Sequence, residues 1–326
     1  KIRSKNQQGR HMKILVCGAG VMGSLYAAKL SQSGNDVSIL AQGKRYNELY
    51  GRAIFFRLLP SREIHAVDAK VVSSLTPGDE YDLAIVLTQP QEMQAALSQL
   101  HAAKRVKQVL LMAGEPASYK EWEDAIGNTR LVLGIPGVIG YHRNGIVNCK
   151  ILPELVQPTL LGFTRDAQKS RLTPLVRVFR KAGFPTTISN NLLVWHKQRQ
   201  AFADAVRDAV NMTGGNAKLF IEKPDITRML VDATRDNLRA VEAENKGIPT
   251  TRLKILFFMP KGLLCMYWER LAKTRFFENT VIRQITAAKE EQKQRQAEQK
   301  VALDTSIINT STKVTPIKSR LKERAI

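Results

Sequence analysis

Cysteine is scarce in this chain. Cys17, Cys149 and Cys265 are odd in number and form no CxxC pair. That excludes a disulfide-stapled scaffold and a cysteine zinc site, and it fits a reducing, cytoplasmic compartment. Histidine is scarce too. His11, His65, His101, His142 and His196 show neither HExxH nor paired spacing, so no metal site is expected. No GxSxG elbow occurs, which leaves Ser24 without a hydrolase triad. No apolar run approaches the ~20 residues of a membrane-spanning helix. The nearest approach, Ile255–Trp268, is interrupted by Pro260-Lys261-Gly262. Acidic side chains are the last shortage: 29 Asp+Glu face 50 Lys+Arg, for a net charge of +21 and an isoelectric point near 10.1. Such a balance is an electrostatic footprint for nucleic acid. Aromatic residues, however, are only 6% of the chain, and Trp122, Trp195 and Trp268 read as packing anchors ahead of base-stacking platforms. The basic residues are scattered among acids and form no recognised binding motif. A solvated surface that also attracts anionic cofactors and substrates is preferred, and no specific nucleic-acid partner is expected.

What is present is a hydrophobic fraction of 44% in 326 residues, enough for real cores in about two domains. Residues 1–11 are polar, with four basic and no acidic side chains, and read as a leader or tag-like extension ahead of Met12. Lys13–Cys17 is a short apolar strand running into Gly18-Ala19-Gly20-Val21-Met22-Gly23. A helix follows through Leu25, Ala28 and Leu30 to Ser33-Gly34-Asn35, and Asp36–Leu40 is a second strand. Strand, glycine turn, helix and strand in about 30 residues make a βαβ unit. Further on, Asp82–Thr88, Arg105–Met112 and Arg130–Leu133 read as strands separated by helices Glu92–Ala102 and Tyr119–Ile126. The alternation predicts an α/β fold with an N-terminal Rossmann-type doubly wound sheet. Gly145–Leu152 and Gln157–Phe163 read as strands joined through Pro153-Glu154 into an antiparallel addition. A helix Ala167–Lys181 and a strand Thr186–Ser189 end this part. Beyond Asn190 only helices are expected, at Leu192–Met212, Ile226–Asn245, Thr251–Lys273 and Arg275–Leu303. The expected division is therefore a nucleotide-binding domain at 12–189 and an all-helical substrate and dimerisation domain with a basic tail at 190–326. The apolar segment Leu253–Trp268 reads as core or homodimer interface ahead of membrane-surface contact.

The glycine turn sits where a dinucleotide needs it, after a strand and before a helix. Gly18 allows the tight turn, Gly20 lets a pyrophosphate approach the backbone, and Gly23 lets helix and strand pack closely. A site for NAD usually ends the second strand on an acid that bonds the ribose 2′-hydroxyl. Here that strand runs into Ala41-Gln42-Gly43-Lys44-Arg45. With no acid and two cations beside Gln42, a 2′-phosphate is favoured, hence NADP(H).

With these motifs placed, the sequence resembles the ketopantoate reductase family. Met12–Gly20 is similar to the family's N-terminus, as is Gly23-Ser24-Leu25-Tyr26-Ala27-Ala28, and Tyr81–Val86 is similar to its fourth strand. Trp195-His196-Lys197 resembles the Trp-x-Lys at the head of its C-terminal domain, and Gly247-Ile248-Pro249 and Thr315-Pro316 resemble later landmarks. Gln157-Pro158-Thr159 and Arg275-Phe276 resemble a divergent branch. The resemblance implies NADPH as cofactor and reduction of a small 2-oxo acid to its 2-hydroxy acid. It implies that Lys197 is the general acid and that Leu87, Thr88 and Gln89 lie along the cofactor; the family's late Ser/Thr-Glu motif that grips the substrate is not recognisable here, and Glu290 is a loose positional candidate for its glutamate. Read without the resemblance, Lys197 is a surface lysine on a helix whose apolar face is Ala201, Phe202, Ala205, Val206 and Ala209.

Four positions depart from the family. Gln89 replaces a lysine near the nicotinamide, and Met112-Ala113-Gly114-Glu115 replaces a segment carrying an asparagine. Ala201 and Ala205 replace substrate-binding asparagines. These departures predict weak turnover of ketopantoate itself. Two rival readings remain: an NADP(H)-binding sensor that has lost turnover, and a basic nucleic-acid-associated protein on the same fold. The first is separated by whether Lys197 suffices alone, the second by salt-steep binding to unrelated duplexes.

Overall fold

The computed structural model describes residues 11–112, 119–163, 169–244, 259–283, 285–286 and 289. In β1 (Lys13–Cys17), residues Ile14 to Cys17 are wholly buried. An unbroken apolar run of this kind suits a parallel strand covered on both faces. Strand β1 pairs in parallel with β2 (Asp36–Leu40) on one side and β6 (Tyr81–Val86) on the other, with Cys17 opposite both Leu40 and Val86. Beyond β2 lies β5 (Lys70–Val72); beyond β6 lie β7 (Val106–Leu111) and β8 (Leu131–Ile135), all parallel. Chain order therefore reverses between β1 and β6, and a crevice opens beyond their carboxyl ends. Two more strands complete the eight-stranded sheet: β11 (Thr159–Gly162), antiparallel to β8, and β12 (Thr186–Ile188), parallel to β11.

A second, four-stranded sheet was not expected. Its order is β4 (His65–Asp68), β3 (Ala53–Leu58), β10 (Ile146–Ile151) and β9 (Val138–Arg143). The expected joined pair Gly145–Leu152 and Gln157–Phe163 is thus corrected, because its members lie in different sheets. Asn144 and Gly145 both have positive φ, 51° and 77°, and turn β9 into β10 as a two-residue hairpin. The amides of Val156 and Gln157 then bond the carbonyl of Pro153, and this turn carries the chain to β8's edge.

The helices, in chain order, are α1 (Val21–Gln32), α2 (Gly43–Leu49), α3 (Pro90–Ala102), α4 (Tyr119–Ile126), α5 (Lys169–Lys181), α6 (Leu192–Met212), α7 (Leu219–Glu222), α8 (Pro224–Glu244) and α9 (Lys261–Ala272). The second sheet explains why α1 is apolar all round. Helix α1 lies between the two sheets, and Gly23 through Ala28 are all buried. Within that core Tyr26 stacks on Phe184 at 4.3 Å between ring centroids. The other face of the main sheet is covered by α3 and α4, with Trp122 and with Leu192 from α6. A third core joins α6, α8 and α9 through Ala205, Val210, Leu230, Leu264 and Trp268.

No strand is found beyond residue 190 among the described residues. Of Leu253–Trp268, positions 253–258 lie outside the described residues. The rest divides by face: Leu264 and Trp268 are core, whereas Leu263, Met266 and Tyr267 are exposed. Arg275–Phe277 is a single helical turn that continues as π-helix over Glu278–Ile282. Most of the remainder of the expected helix Arg275–Leu303 lies outside the described residues. Cys17 and Cys149 are buried, and burial pushes both thiols up to about 12, which makes them packing groups rather than nucleophiles.

Candidate functional site

The glycine turn lies in the crevice between β1 and β6. Gly18 has φ +105°, and a Cβ there would come 2.7 Å from the Leu87 carbonyl oxygen. The amide of Gly18 bonds the Leu40 carbonyl and that of Leu87 bonds the Cys17 carbonyl, so the turn is clamped between β2 and β6. Gly23 faces inward, and a side chain there would collide with the Gly18 carbonyl. Gly20 is different. A Cβ on it meets nothing within 4 Å, and it caps α1 without any side-chain bond to the first amides. The start of α1 thus presents backbone N–H groups to open space at Gly20, where a phosphate fits. Ala19 is buried, while Val21 and Met22 pack their side chains partly against the core beneath α1.

On the β2 side, Gln42 caps α2 and reaches the Ser73 carbonyl at 3.5 Å. Arg45 folds back over the turn: its Nε donates to the Ala19 carbonyl at 2.8 Å. Its NH1 also pairs with Glu48 at 2.8 Å and holds that carboxyl below its usual pKa. Lys44 projects freely, with 92% of its side chain exposed and Glu48 4.0 Å away. Glu48 is an acid that the strand-end reading passed over, although its i+3 and i+4 spacing from Arg45 and Lys44 on α2 is a helix-pairing signal. On the β6 side Leu87 is buried, Gln89 is exposed at the cap of α3, and the buried Thr88 hydroxyl has no hydrogen-bond partner. An unsatisfied buried hydroxyl on the residue that abuts Gly18 of the turn is the pattern expected of a cradle whose partner is a bound nucleotide.

Lys197 lies on α6 with its Nζ 2.6 Å from the Glu244 carboxylate at the end of α8. Nothing local in the sequence links these two, which lie 47 residues apart. Ala201 and Ala205 are buried in the seam between α6 and α8, where Asn237 donates to the Ala201 carbonyl at 3.1 Å. An asparagine at 201 would have to enter this packed seam, so reinstating the family's residue there also repacks two helices. Glu115 and Glu290 lie outside the described residues. Among the described residues, no group of three His, Cys, Asp or Glu side chains could hold a metal, and no helix is long and apolar enough to cross a membrane.

His196 turns toward β8 and bonds the backbone at Gly134. Burial, followed by the charge of Arg199, lowers its pKa from 6.5 to about 4, so it stays neutral in the fold. The unfolded chain takes up this proton near pH 6.5, whereas the folded chain resists until about pH 4. Stability therefore falls as pH drops through that window, by at most about 3 kcal/mol. His196→Asn should flatten this part of the acid loss in urea melts at pH 7 and pH 4.5. Parallel losses in both proteins would contradict the assignment.

Comparison with known proteins adds the following. Residues 14–159 match the profile of the family described as Ketopantoate reductase PanE/ApbA. A 2-dehydropantoate 2-reductase of Pyrococcus horikoshii is 27% identical over 191 residues, covering 56% of this chain and 58% of that protein. The matched stretch is thus little more than half of that relative. A 2-dehydropantoate 2-reductase of Pyrococcus abyssi is 21% identical over 286 residues, 85% of this chain and 86% of the relative. Among solved structures, D-mandelate dehydrogenase with NADH and anilino(oxo)acetate superposes with a TM-score of 0.58 at 14% identity, over 86% of this chain and 99% of that one. At that identity the likeness is one of fold.

Proposed function

We propose that this chain, whose residues 14–159 match the ketopantoate reductase family, is a divergent member of it and an NADP(H)-dependent reductase of a small 2-oxo acid. The observation that carries the reading is the crevice itself: open space above Gly20, the unsatisfied Thr88 hydroxyl and the cations at the end of β2. In this reading residues 12–189 hold the nucleotide and 190–326 complete the substrate side. Gly18, Gly20 and the first amides of α1 bind the pyrophosphate, and Gly23 keeps α1 against β1. Lys44 and Arg45, with Gln42 beside them, receive the 2′-phosphate. When bound, NADPH supplies a hydride to the substrate's carbonyl carbon. The carbonyl oxygen then needs a proton, and the Lys197 ammonium, steered by Glu244, holds it at Nζ.

Spectrophotometric NADPH oxidation across a panel of 2-oxo acids, run beside a binding titration, tests the proposal. Turnover of at least one acid is expected, with NADPH bound more tightly than NADH. Charge-assisted contacts to a phosphate contribute about 1.5–3 kcal/mol, so Lys44→Ala with Arg45→Ala should narrow the NADPH-to-NADH gap by roughly tenfold or more. Equal affinity for the two nucleotides in the wild type would remove the 2′-phosphate assignment. Binding without oxidation of any acid would favour a cofactor-binding sensor, a reading supported by the burial of Ala201 and Ala205.

A further inference from the structure

The register of α6 aims a second cation at the main sheet. Leu192 packs into the core under α3 and α4, Trp195 packs against that core, and His196 meets the backbone of Gly134 on β8. On a helix, positions three and four apart share a face, so Arg199 follows His196 one turn further toward the carboxyl end of β8. That end is a polar ledge. The Gly137 amide donates to the Thr159 hydroxyl at 3.3 Å, the Tyr26 hydroxyl lies 2.7 Å from the same oxygen, and Gln157 donates to the Pro136 carbonyl at 3.0 Å.

Several other cations near these elements are engaged. Lys197 pairs with Glu244, Arg45 with Glu48 and Ala19, and Arg130 with the carbonyls of Val106, Leu100 and Ala103. Among the described residues no carboxylate lies within ion-pairing distance of Arg199, and its side chain keeps exposed surface. Crowding by the surrounding protein nevertheless lowers its pKa by desolvation, and its charge acts on both Tyr26 and His196. An exposed cation crowded on one side, with no acid partner among the described residues, follows His196 over the β8 side of the sheet. That side is opposite the β1–β2 side where the 2′-phosphate cations stand.

We propose that Arg199 receives the carboxylate of the substrate at the carboxyl end of β8, with Pro136, Gly137 and Thr159 as the adjoining ledge. This rests on the reading of the chain as a 2-oxo acid reductase and supplies the polar contact that Ala201 and Ala205 do not make. The planar guanidinium matches a carboxylate with two parallel N–H···O bonds, a geometry that an ammonium lacks. Arg199 thereby discriminates 2-oxo acids from neutral ketones and esters, while Lys197 serves the carbonyl oxygen.

The test compares the best 2-oxo acid of the panel with its methyl ester, in wild type, Arg199→Ala and Arg199→Lys. Loss of a charge-assisted pair should raise KM for the acid about 10–100-fold in Arg199→Ala, with kcat and the ester's kinetics much less affected and partial recovery in Arg199→Lys. NADPH affinity should not change, which reports that the nucleotide-binding part is folded. Oxamate titrated into the NADPH complex reads the carboxylate site without turnover and should lose affinity by a similar factor. Arg199→Gln, which keeps a polar side chain and most of the apolar stem while removing the charge, stands in if the alanine variant is unstable. Retained acid-over-ester discrimination, or oxamate affinity equal in wild type and variant, would overturn the assignment of Arg199. Absence of turnover on every acid with oxamate affinity still dependent on Arg199 would instead count against the reductase reading and leave the carboxylate site standing.

Discussion

Gly20→Val is expected to abolish NADPH binding while leaving the fold intact. Gly20 has φ −73°, an ordinary backbone angle, and a Cβ there meets nothing within 4 Å. The valine side chain therefore costs the apoprotein little, yet it fills the space through which a phosphate reaches the first amides of α1. Losing two or more charge-assisted bonds of about 1.5–3 kcal/mol each lowers affinity by at least roughly 100-fold. The control is Gly23→Val, whose side chain would collide with the Gly18 carbonyl and so separate α1 from β1. Nucleotide fluorescence titration and thermal melts should thus divide the two: Gly20→Val melts like wild type without binding, and Gly23→Val melts early. Unimpaired binding by a folded Gly20→Val protein would mean that the nucleotide lies elsewhere.

Lys197→Ala is expected to reduce turnover by ~10²–10³, the usual cost of removing a single donor to a developing oxyanion. The pair it forms with Glu244 is solvent-accessible, with side-chain exposures of 34% and 62%. Exposed pairs contribute no more than about 1 kcal/mol to stability, so the melting temperature should scarcely move. A large rate loss without a stability loss is the signature of a chemical role. Glu244→Gln keeps the side chain's size and removes its charge, and should fall between wild type and Lys197→Ala in kcat. Steady-state kinetics on the best 2-oxo acid decide the matter. Full activity in Lys197→Ala would show that another group protonates the product.

The segment from Lys13 to Leu40 was legible because all its signals are local. A short apolar strand, three glycines at fixed offsets and a helix through Leu25, Ala28 and Leu30 specify one supersecondary unit, and the structure places each glycine in a different role. The same holds for the ends of α4 and α6, whose spacing alone bounds them at Tyr119–Ile126 and Leu192–Met212. The second sheet was not legible. Strand β4 alternates between partly buried and exposed residues over only four positions, and β3 finds β10 as a parallel partner some 90 positions away. No local period encodes a pairing of that range.

By itself, the sequence determined the doubly wound region, the helical character of the described residues after 190, the glycine turn and the cationic end of β2. Each of these depends on neighbours within a few residues, where side-chain size and backbone freedom act directly. Tertiary structure decided which face of α6 meets which neighbour. It buried Ala201 and Ala205 against α8, tied Lys197 to Glu244, and carried His196 over to β8. A helix shows the same residues on all its sides whatever surrounds it. Their chemistry is assigned only when packing excludes water from one side, leaves another open, and brings a distant carboxylate to one lysine while leaving an arginine without one among the described residues.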